Sequence, residues 1–202
     1  MLERKGYEIR QTPFRNGGLE PNDIEELSDY GIKLIAFSAV QTASGHRSDI
    51  SSIAEIACKV EAMTFVDGAQ MAGALSIAPY LDKIDVFATS DHKFLLNAAR
   101  GMGYCYISKI LQDRIVSTNA GWKAGAVPLE SFFGPNMQLS QTASRFDNPI
   151  SWLAAIGDEA ALSLFGLFGV DAVYARNIDL VRALRDRLAE IGQRPIELPA
   201  AN

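Results

Sequence analysis

Short apolar runs alternate with helix-period segments along most of this chain, and this alternation constrains the fold more than any other feature. The run at 33–40, Lys-Leu-Ile-Ala-Phe-Ser-Ala-Val, predicts a buried strand, followed by a helix that begins at Ser48 or Asp49. Apolar runs at 63–66 and 84–89 predict further strands. Alternating strands and helices indicate an α/β fold, with a mainly parallel sheet and helices on both faces.

The pattern changes at both ends of this region. Residues 7–14 predict a first short strand, and Pro21 begins a short helix that runs to residue 30. Only about a dozen residues separate the 84–89 strand from the apolar run at 102–107, which is too few for a helical crossover. We therefore expect 102–107 to return antiparallel.

A long irregular segment precedes two closing helices. Residues 117–149 contain several glycines and prolines, which is typical of a functional loop or of an arm that contacts a partner. Apolar residues at helical spacing then predict helices over 151–168 and 171–191.

Composition and charge exclude several classes of function. The 202 residues carry a net charge of −5 without a basic cluster, so binding to nucleic acid is not expected. No apolar run reaches the roughly 18 residues of a membrane span, and residues 1–5 lead into no apolar core, so a signal peptide is not expected. We therefore expect a cytoplasmic protein without membrane contact. Cys58 and Cys105 lie in apolar segments and are expected in the core. Neither a disulfide nor a metal site is predicted.

Polar side chains occupy the points where three of the predicted strands end, at 41–47, 67–70 and 90–93. The carboxyl ends of parallel strands meet at one edge of the sheet, where α/β proteins bind ligands. Asp67 and Lys93, on neighbouring strands, would share that edge. A carboxylate and an amine there fit pyridoxal phosphate, which needs a lysine for a Schiff base and an acid beside its pyridine nitrogen.

The same residues resemble a known family. The sequences V-D-G-A-Q at 66–70 and S-D-H-K at 90–93 resemble the D-x-A-Q and S-x-H-K motifs of the class V aminotransferases. That family of pyridoxal-phosphate enzymes includes cysteine desulfurases, kynureninases and isopenicillin N epimerase-like proteins. The residues R-F-D at 145–147 resemble the R-F-E that precedes its late helix. The resemblance extends over most of 6–192.

The resemblance implies a fold-type-I pyridoxal-phosphate domain that is incomplete in this chain. Residues 1–168 would form part of the large domain, and residues 169–202 a helix that leads into a mostly absent small domain. Such a chain would be a fragment, a truncated gene product or one part of a split enzyme. Family members are typically homodimers, so the expected partner is a second copy or a complementing chain, contacted through 117–149.

The resemblance also implies a role for each motif residue. Lys93 would form the Schiff base and move the α-proton, and Asp67 would pair with the pyridine nitrogen. The other implied cofactor contacts are Gln70 at the phenolic oxygen, Ala69 under one face of the ring, and Ser90 and His92 at the phosphate.

Some positions depart from the family pattern. Thr42 stands where asparagine is frequent, and it can still donate a hydrogen bond, so it remains among the cofactor-binding residues. The family's Gly-Thr after the R-F-E motif, which reaches the partner's phosphate, is absent, and Ser151 is its candidate replacement. Weaker candidates are equally explained by local packing or solvation, namely His46, Arg47, Arg100, Trp122 and Lys123.

We therefore expect a pyridoxal-phosphate enzyme that acts on an amino acid through Lys93, by transamination or epimerisation. One alternative is a catalytically inactive remnant, or a partner subunit of a split enzyme. A second alternative is a cysteine desulfurase or lyase. That reaction would require a cysteine on a mobile loop, and neither Cys58 nor Cys105 has that position in the sequence.

Overall fold

The computed structural model describes residues 3–13, 15, 17–97, 99–133 and 137–194. Within them lie four strands, β1 (Leu34–Ser38), β2 (Met63–Asp67), β3 (Val86–Ser90) and β4 (Gly103–Ile107). The α-helices of the same residues are α1 (Pro21–Glu25), α2 (Ile50–Lys59), α3 (Lys109–Gln112), α4 (Trp152–Phe168) and α5 (Val170–Glu190).

The four strands form one sheet in which each strand pairs with the next in sequence. The first three strands are parallel, and β4 is antiparallel to β3. The described residues of the 91–102 connection form turns and bends without a helix, so this short connection returns the chain antiparallel. The predictions of a mainly parallel α/β sheet and of an antiparallel last strand are both confirmed.

The amino-terminal predictions are only partly correct. Residues 7–13 belong to no strand, so the predicted first strand is wrong there, and Phe14 lies outside the described residues. Tyr7 and Ile9 are exposed, because this alternating stretch has no neighbouring strand to pair with. The predicted helix from Pro21 ends at Glu25 and is followed by a 3₁₀ turn.

The hydrophobic core lies between α2 and one face of the sheet. Helix α2 begins after Asp49, whose carboxylate accepts a hydrogen bond of 3.0 Å from the Ser52 backbone N–H, so Asp49 is the predicted cap. The helix packs its apolar face against alternate residues of the strands. The buried residues of this core include Ile35, Phe37, Ile50, Ile53, Ala57, Val66 and Phe87.

The opposite face of the sheet is exposed. Leu34, Phe65 and Cys105 occupy it, and the register aligns Asp67 with Ala88 on the same face. A helical layer on this second face is not seen among the described residues, although helices on both faces were expected. Cys105 and also Cys58 are exposed and unpaired, so the prediction that both are core residues is wrong.

The two long helices meet at a sharp bend. Gly169, with φ of +77°, ends α4 and precedes α5. Among the described residues, no single helix is long and apolar enough to cross a membrane. Only when α4 and α5 are taken together do they reach the length and apolar composition of a membrane-spanning segment, and the two helices are bent by 84° at their junction.

Gly68 gives the first testable prediction. This residue follows β2 directly, and a Cβ placed there would overlap the Phe87 ring in the core. We expect Gly68→Ala to lower the free energy of unfolding by about 1–3 kcal/mol, measured by urea denaturation. Gly166→Ala is the matched control in α4, because its Cβ would meet no atom within 4 Å. An equal loss of stability in both variants would contradict the argument.

Candidate functional site

The predicted site residues follow the carboxyl ends of the three parallel strands. Asp67 is the last residue of β2, and Ser90 is the last residue of β3. Thr42 lies in the loop after β1, Gln70 in the loop after β2, and Lys93 in the loop after β3. Because these strands are parallel neighbours, their three loops occupy one edge of the sheet, as the sequence predicted.

Hydrogen bonds connect the three loops. The Gln70 Nε2 donates to Thr42 Oγ1 at 2.7 Å and thereby joins the first loop to the second. The Thr89 Oγ1 donates to the Gly68 carbonyl oxygen at 3.3 Å, and the Gly68 N–H donates to the Ala88 carbonyl oxygen at 2.8 Å. These contacts fix the Asp67–Gln70 turn against β3.

Asp67 and Lys93 lie at this edge without neutralising each other. The Asp67 carboxylate is exposed, and its Oδ1 accepts a hydrogen bond of 2.9 Å from the Ala69 N–H. Lys93 is exposed as well, and the structure gives these two residues no mutual ion pair. A carboxylate and an amine that are not paired with each other can both contact a ligand at this edge.

Ser90 and His92 provide polar groups beside Lys93. The Ser90 Oγ is buried and has no hydrogen-bond partner, which is unfavourable unless a ligand or water supplies one. The His92 Nδ1 lies 3.6 Å from Asp91 Oδ1, and its side chain is partly exposed. An unpartnered buried hydroxyl and a partly exposed imidazole two residues further along the chain fit the oxygen atoms of a phosphate.

A buried polar cluster behind this loop was missed by the sequence analysis. Asp91, Asn97 and Asp158 are 0%, 3% and 2% exposed. The Asn97 Nδ2 donates to Asp91 Oδ2 at 2.6 Å and to the Ala154 carbonyl oxygen of α4 at 2.9 Å. The Tyr104 hydroxyl donates to Asp158 Oδ2. The cluster therefore joins the Lys93 loop, β4 and α4.

Only a weak sequence signal marked Asp158 as buried. It lies on one face of α4 between two buried small residues, Ala154 and Ala161, at a spacing of four and three. An aspartate in a helix is usually solvated, so this spacing alone did not identify it. Asp91 occupies the variable position of the S-x-H-K motif, to which the resemblance assigns no role.

Burial raises the pKa of Asp158, and the negative charge of Asp91 raises the pKa further. The folded chain therefore binds a proton at Asp158 more tightly than the unfolded chain does. The stabilisation from this proton is complete at low pH and is lost as pH rises through the pKa of the folded state.

We expect Asp158→Asn to be more stable than the parent chain at about pH 8, with a difference that shrinks towards about pH 4. Asparagine carries no charge at either pH, so it avoids burying a carboxylate beside Asp91. The measurement is urea denaturation across this pH range, and Asp82→Asn, an exposed substitution before β3, is the control. A stability difference independent of pH would contradict the assignment.

The structure gives local roles to two of the weaker candidates. His46 is buried, and its ring fills the space where a Cβ at Gly18 would lie. The His46 Nε2 lies 3.9 Å from Glu20 Oε1. The Ser151 hydroxyl accepts the Ala154 N–H at 3.4 Å and caps α4. Packing and capping account for both side chains.

The remaining candidates lie apart from the strand-end loops or on the surface. The Trp122 ring packs edge-on against Phe132 at 5.0 Å between centroids, and Lys123 Nζ lies 4.6 Å from the Trp122 centroid. Arg47 and Arg100 are exposed. Within the 117–149 segment, residues 134–136 lie outside the described residues.

A parallel sheet edge that carries an amine, a carboxylate and an unpartnered buried hydroxyl has the site chemistry of the pyridoxal-phosphate enzymes. The family model described as "Aminotransferase class-V" matches residues 1–201, and this chain belongs to that family. The family prediction and the prediction of pyridoxal phosphate as its cofactor are thus confirmed.

Individual relatives agree with this assignment. A protein named "Probable cysteine desulfurase" from Borreliella burgdorferi is 29% identical over 92% of this chain and 44% of its own length. The apo structure of a cysteine desulfurase from Thermococcus onnurineus NA1 superposes with a TM-score of 0.75 and 25% identity. This match covers 98% of the present chain and 49% of that chain.

A more distant structure shows the same fold. Pyridoxamine–pyruvate aminotransferase from Mesorhizobium loti has a TM-score of 0.66 and 21% identity over 91% of this chain and 46% of its own. The chain therefore spans about half the length of the proteins that it matches. The expected fold, part of a fold-type-I large domain, is confirmed by these neighbours.

Proposed function

We propose that this chain binds pyridoxal phosphate covalently through Lys93 Nζ and forms the cofactor-holding part of an enzyme that acts on an amino acid. One observation carries the proposal. Asp67 and Lys93 follow adjacent parallel strands at one sheet edge, exposed and unpaired with each other, beside the unpartnered Ser90 hydroxyl.

Each residue of the site has a distinct task in this proposal. When bound, pyridoxal phosphate supplies an electron sink for the α-carbon of the amino acid. Asp67 would keep a proton at the pyridine nitrogen, and Ser90 and His92 would donate hydrogen bonds to the phosphate. Lys93 would exchange the α-proton, which requires an unprotonated amine.

The second loop orients the ring in this proposal. Thr42 accepts the hydrogen bond from Gln70 Nε2 and thereby fixes the amide of Gln70. That amide would contact the phenolic oxygen of the cofactor. Ala69 leaves room for one face of the ring because its side chain is a single methyl group.

Among the possible reactions, removal of sulfur from cysteine is favoured over the transamination or epimerisation first expected. The Borreliella relative and the Thermococcus structure are both named cysteine desulfurases. The aminotransferase neighbours are less than 25% identical, and their likeness supports the fold alone. We therefore propose cysteine as the first substrate to test. Cys58 lies in α2 and Cys105 in β4, so neither stands on a loop, and an added small thiol takes the place of the acceptor cysteine that the reaction requires.

A second candidate function is that of one part of a split enzyme. The chain spans 44% of the Borreliella relative, and in this candidate the contacts made by the rest of that relative come from a second copy or from a complementing chain. In that case the chain would hold the cofactor weakly alone and would gain turnover when the complementing part is added.

The test combines covalent labelling with an activity assay. The chain is incubated with pyridoxal phosphate, reduced with borohydride, digested and mapped by mass spectrometry. We expect the label at Lys93, with little at the exposed Lys83 and Lys109, which serve as internal controls. Sulfide release from L-cysteine in the presence of dithiothreitol then tests the reaction. Equal labelling of all three lysines would overturn the proposed site.

A further inference from the structure

The buried polar cluster is the feature that the proposed function leaves unexplained. Two aspartates and an asparagine are almost fully buried directly behind the loop that carries Lys93. Two of their oxygens, Asp91 Oδ1 and Asp158 Oδ1, have no hydrogen-bond partner. Burial of polar groups at this cost requires a structural or functional reason.

The contacts of Asn97 indicate what the cluster does. Its Nδ2 donates both to Asp91, at 2.6 Å, and to the Ala154 carbonyl oxygen of α4, at 2.9 Å. Its Oδ1 accepts the Ala99 N–H at 3.0 Å. One amide group thus joins both ends of the Lys93 loop to the first turn of α4.

Backbone contacts close the same loop. The Asn97 N–H donates to the Asp91 carbonyl oxygen at 3.2 Å, and the Leu96 N–H donates to the Lys93 carbonyl oxygen at 3.1 Å. Leu96 has a φ of +67°, which costs free energy that other contacts of the loop must offset. The loop therefore holds a defined conformation with Lys93 at its exposed side.

Asp91 also contacts the imidazole that is proposed to bind phosphate. Its Oδ1 lies 3.6 Å from His92 Nδ1, whereas its Oδ2 is held by Asn97. This separation is longer than a hydrogen bond, but it places the carboxylate directly beside the ring. The carboxylate is thus positioned between the imidazole and the amide that contacts α4.

Helix α4 packs closely against Asn97. A Cβ at Gly157 of α4 would lie 2.7 Å from Asn97 Oδ1, so the helix backbone approaches the amide closely. This close contact allows a small displacement of α4 to reach the loop directly.

We propose that Asp91 and Asn97 are positioning residues that join the Lys93 loop to α4 and hold His92 and Lys93 in place for the cofactor. This inference rests on the proposed function. Neither residue touches the cofactor in this scheme, and both act through the side chains that do.

The first experiment needs no cofactor. Hydrogen exchange followed by mass spectrometry compares the parent chain with Asn97→Ala and with a control, Ile53→Val, which loosens the core at α2. We expect Asn97→Ala to accelerate exchange in peptides covering 91–97 and 152–158 together, by about tenfold, as the loss of buried hydrogen bonds predicts. Acceleration confined to one of these two peptides would overturn the proposal.

The second experiment follows cofactor binding. We expect Asn97→Ala to weaken the apparent affinity for pyridoxal phosphate by about tenfold, measured by the borohydride-trapped label at Lys93. Ile53→Val should keep the affinity of the parent chain. Parent-like affinity in Asn97→Ala would overturn the positioning role even if the chain folds less stably.

A conservative pair separates positioning from stability. Asp91→Asn keeps an acceptor for Asn97, so hydrogen exchange in the peptides covering 91–97 and 152–158 should stay as slow as in the parent chain. Asp91→Ala should accelerate exchange in both peptides. Equally fast exchange in the two variants would contradict the proposed contact. If the parent chain itself fails to label at Lys93, the proposed function fails, while the exchange experiment still decides whether loop and helix are joined.

Discussion

Lys93→Ala should abolish covalent retention of pyridoxal phosphate by this chain. Lys93 is the exposed lysine at the carboxyl edge of the parallel strands, beside Ser90 and His92, and an alanine has no amine to form the bond. The borohydride-trapped label measured by intact mass should fall to background. Sulfide release from L-cysteine should fall with it, because the amine would also exchange the α-proton.

Two further variants identify the reason for this loss. Lys93→Arg keeps a positive charge but remains protonated, so it should lose the label as completely as the alanine variant does. Lys83→Ala, which removes an exposed lysine bonded to Ser51 Oγ at 3.2 Å, should label like the parent chain. Retention of the label in Lys93→Ala would assign the covalent site to another residue.

Asp67→Asn should keep the fold and the label at Lys93 but lower turnover by about hundredfold. Asparagine retains an oxygen that can accept the Ala69 N–H, so the turn at the end of β2 persists. It carries no negative charge, however, and cannot hold a proton on the pyridine nitrogen. Removal of one preorganised electrostatic partner at the reacting group typically costs about this factor in rate.

The comparison with Asp67→Ala separates the two tasks of this carboxylate. Alanine removes both the charge and the acceptor for the Ala69 N–H, so this variant should also lose about 1 kcal/mol of unfolding free energy. Asp82→Asn, an exposed substitution before β3, is the control for net charge. Equal turnover in Asp67→Asn and the parent chain would show that Asp67 only caps the turn.

The strand-end residues could be predicted because their placement follows from topology. Strands of apolar residues and a crossover through α2 are readable in the sequence, and parallel strands bring the loops after Asp67 and Ser90 to one edge. The short connection before β4 was readable for the same reason, because it cannot hold a crossover helix. These inferences depend on the length of each connection and on the period of its apolar residues, and both can be read from a short stretch of sequence.

Features that depend on distant packing could not be predicted. The pairing of Asn97 with α4 joins residues 57 positions apart, and nothing near Asn97 indicates that partner. The apolar neighbours of Cys105 predict a core residue, but alternate residues of β4 lie on opposite faces, and Cys105 belongs to the exposed face. The 7–13 stretch has strand-like alternation but no neighbouring strand.

The sequential strand order has a consequence for how the molecule forms. Each parallel strand pairs with the next one along the chain, so each pairing closes a loop of modest length and costs little chain entropy. All of the proposed cofactor contacts lie between residues 34 and 93, within β1 to β3 and their loops. Short-range pairings within this contiguous stretch are therefore enough to bring the three strand-end loops together, whereas the contact of Asn97 with α4 has to form across 57 residues.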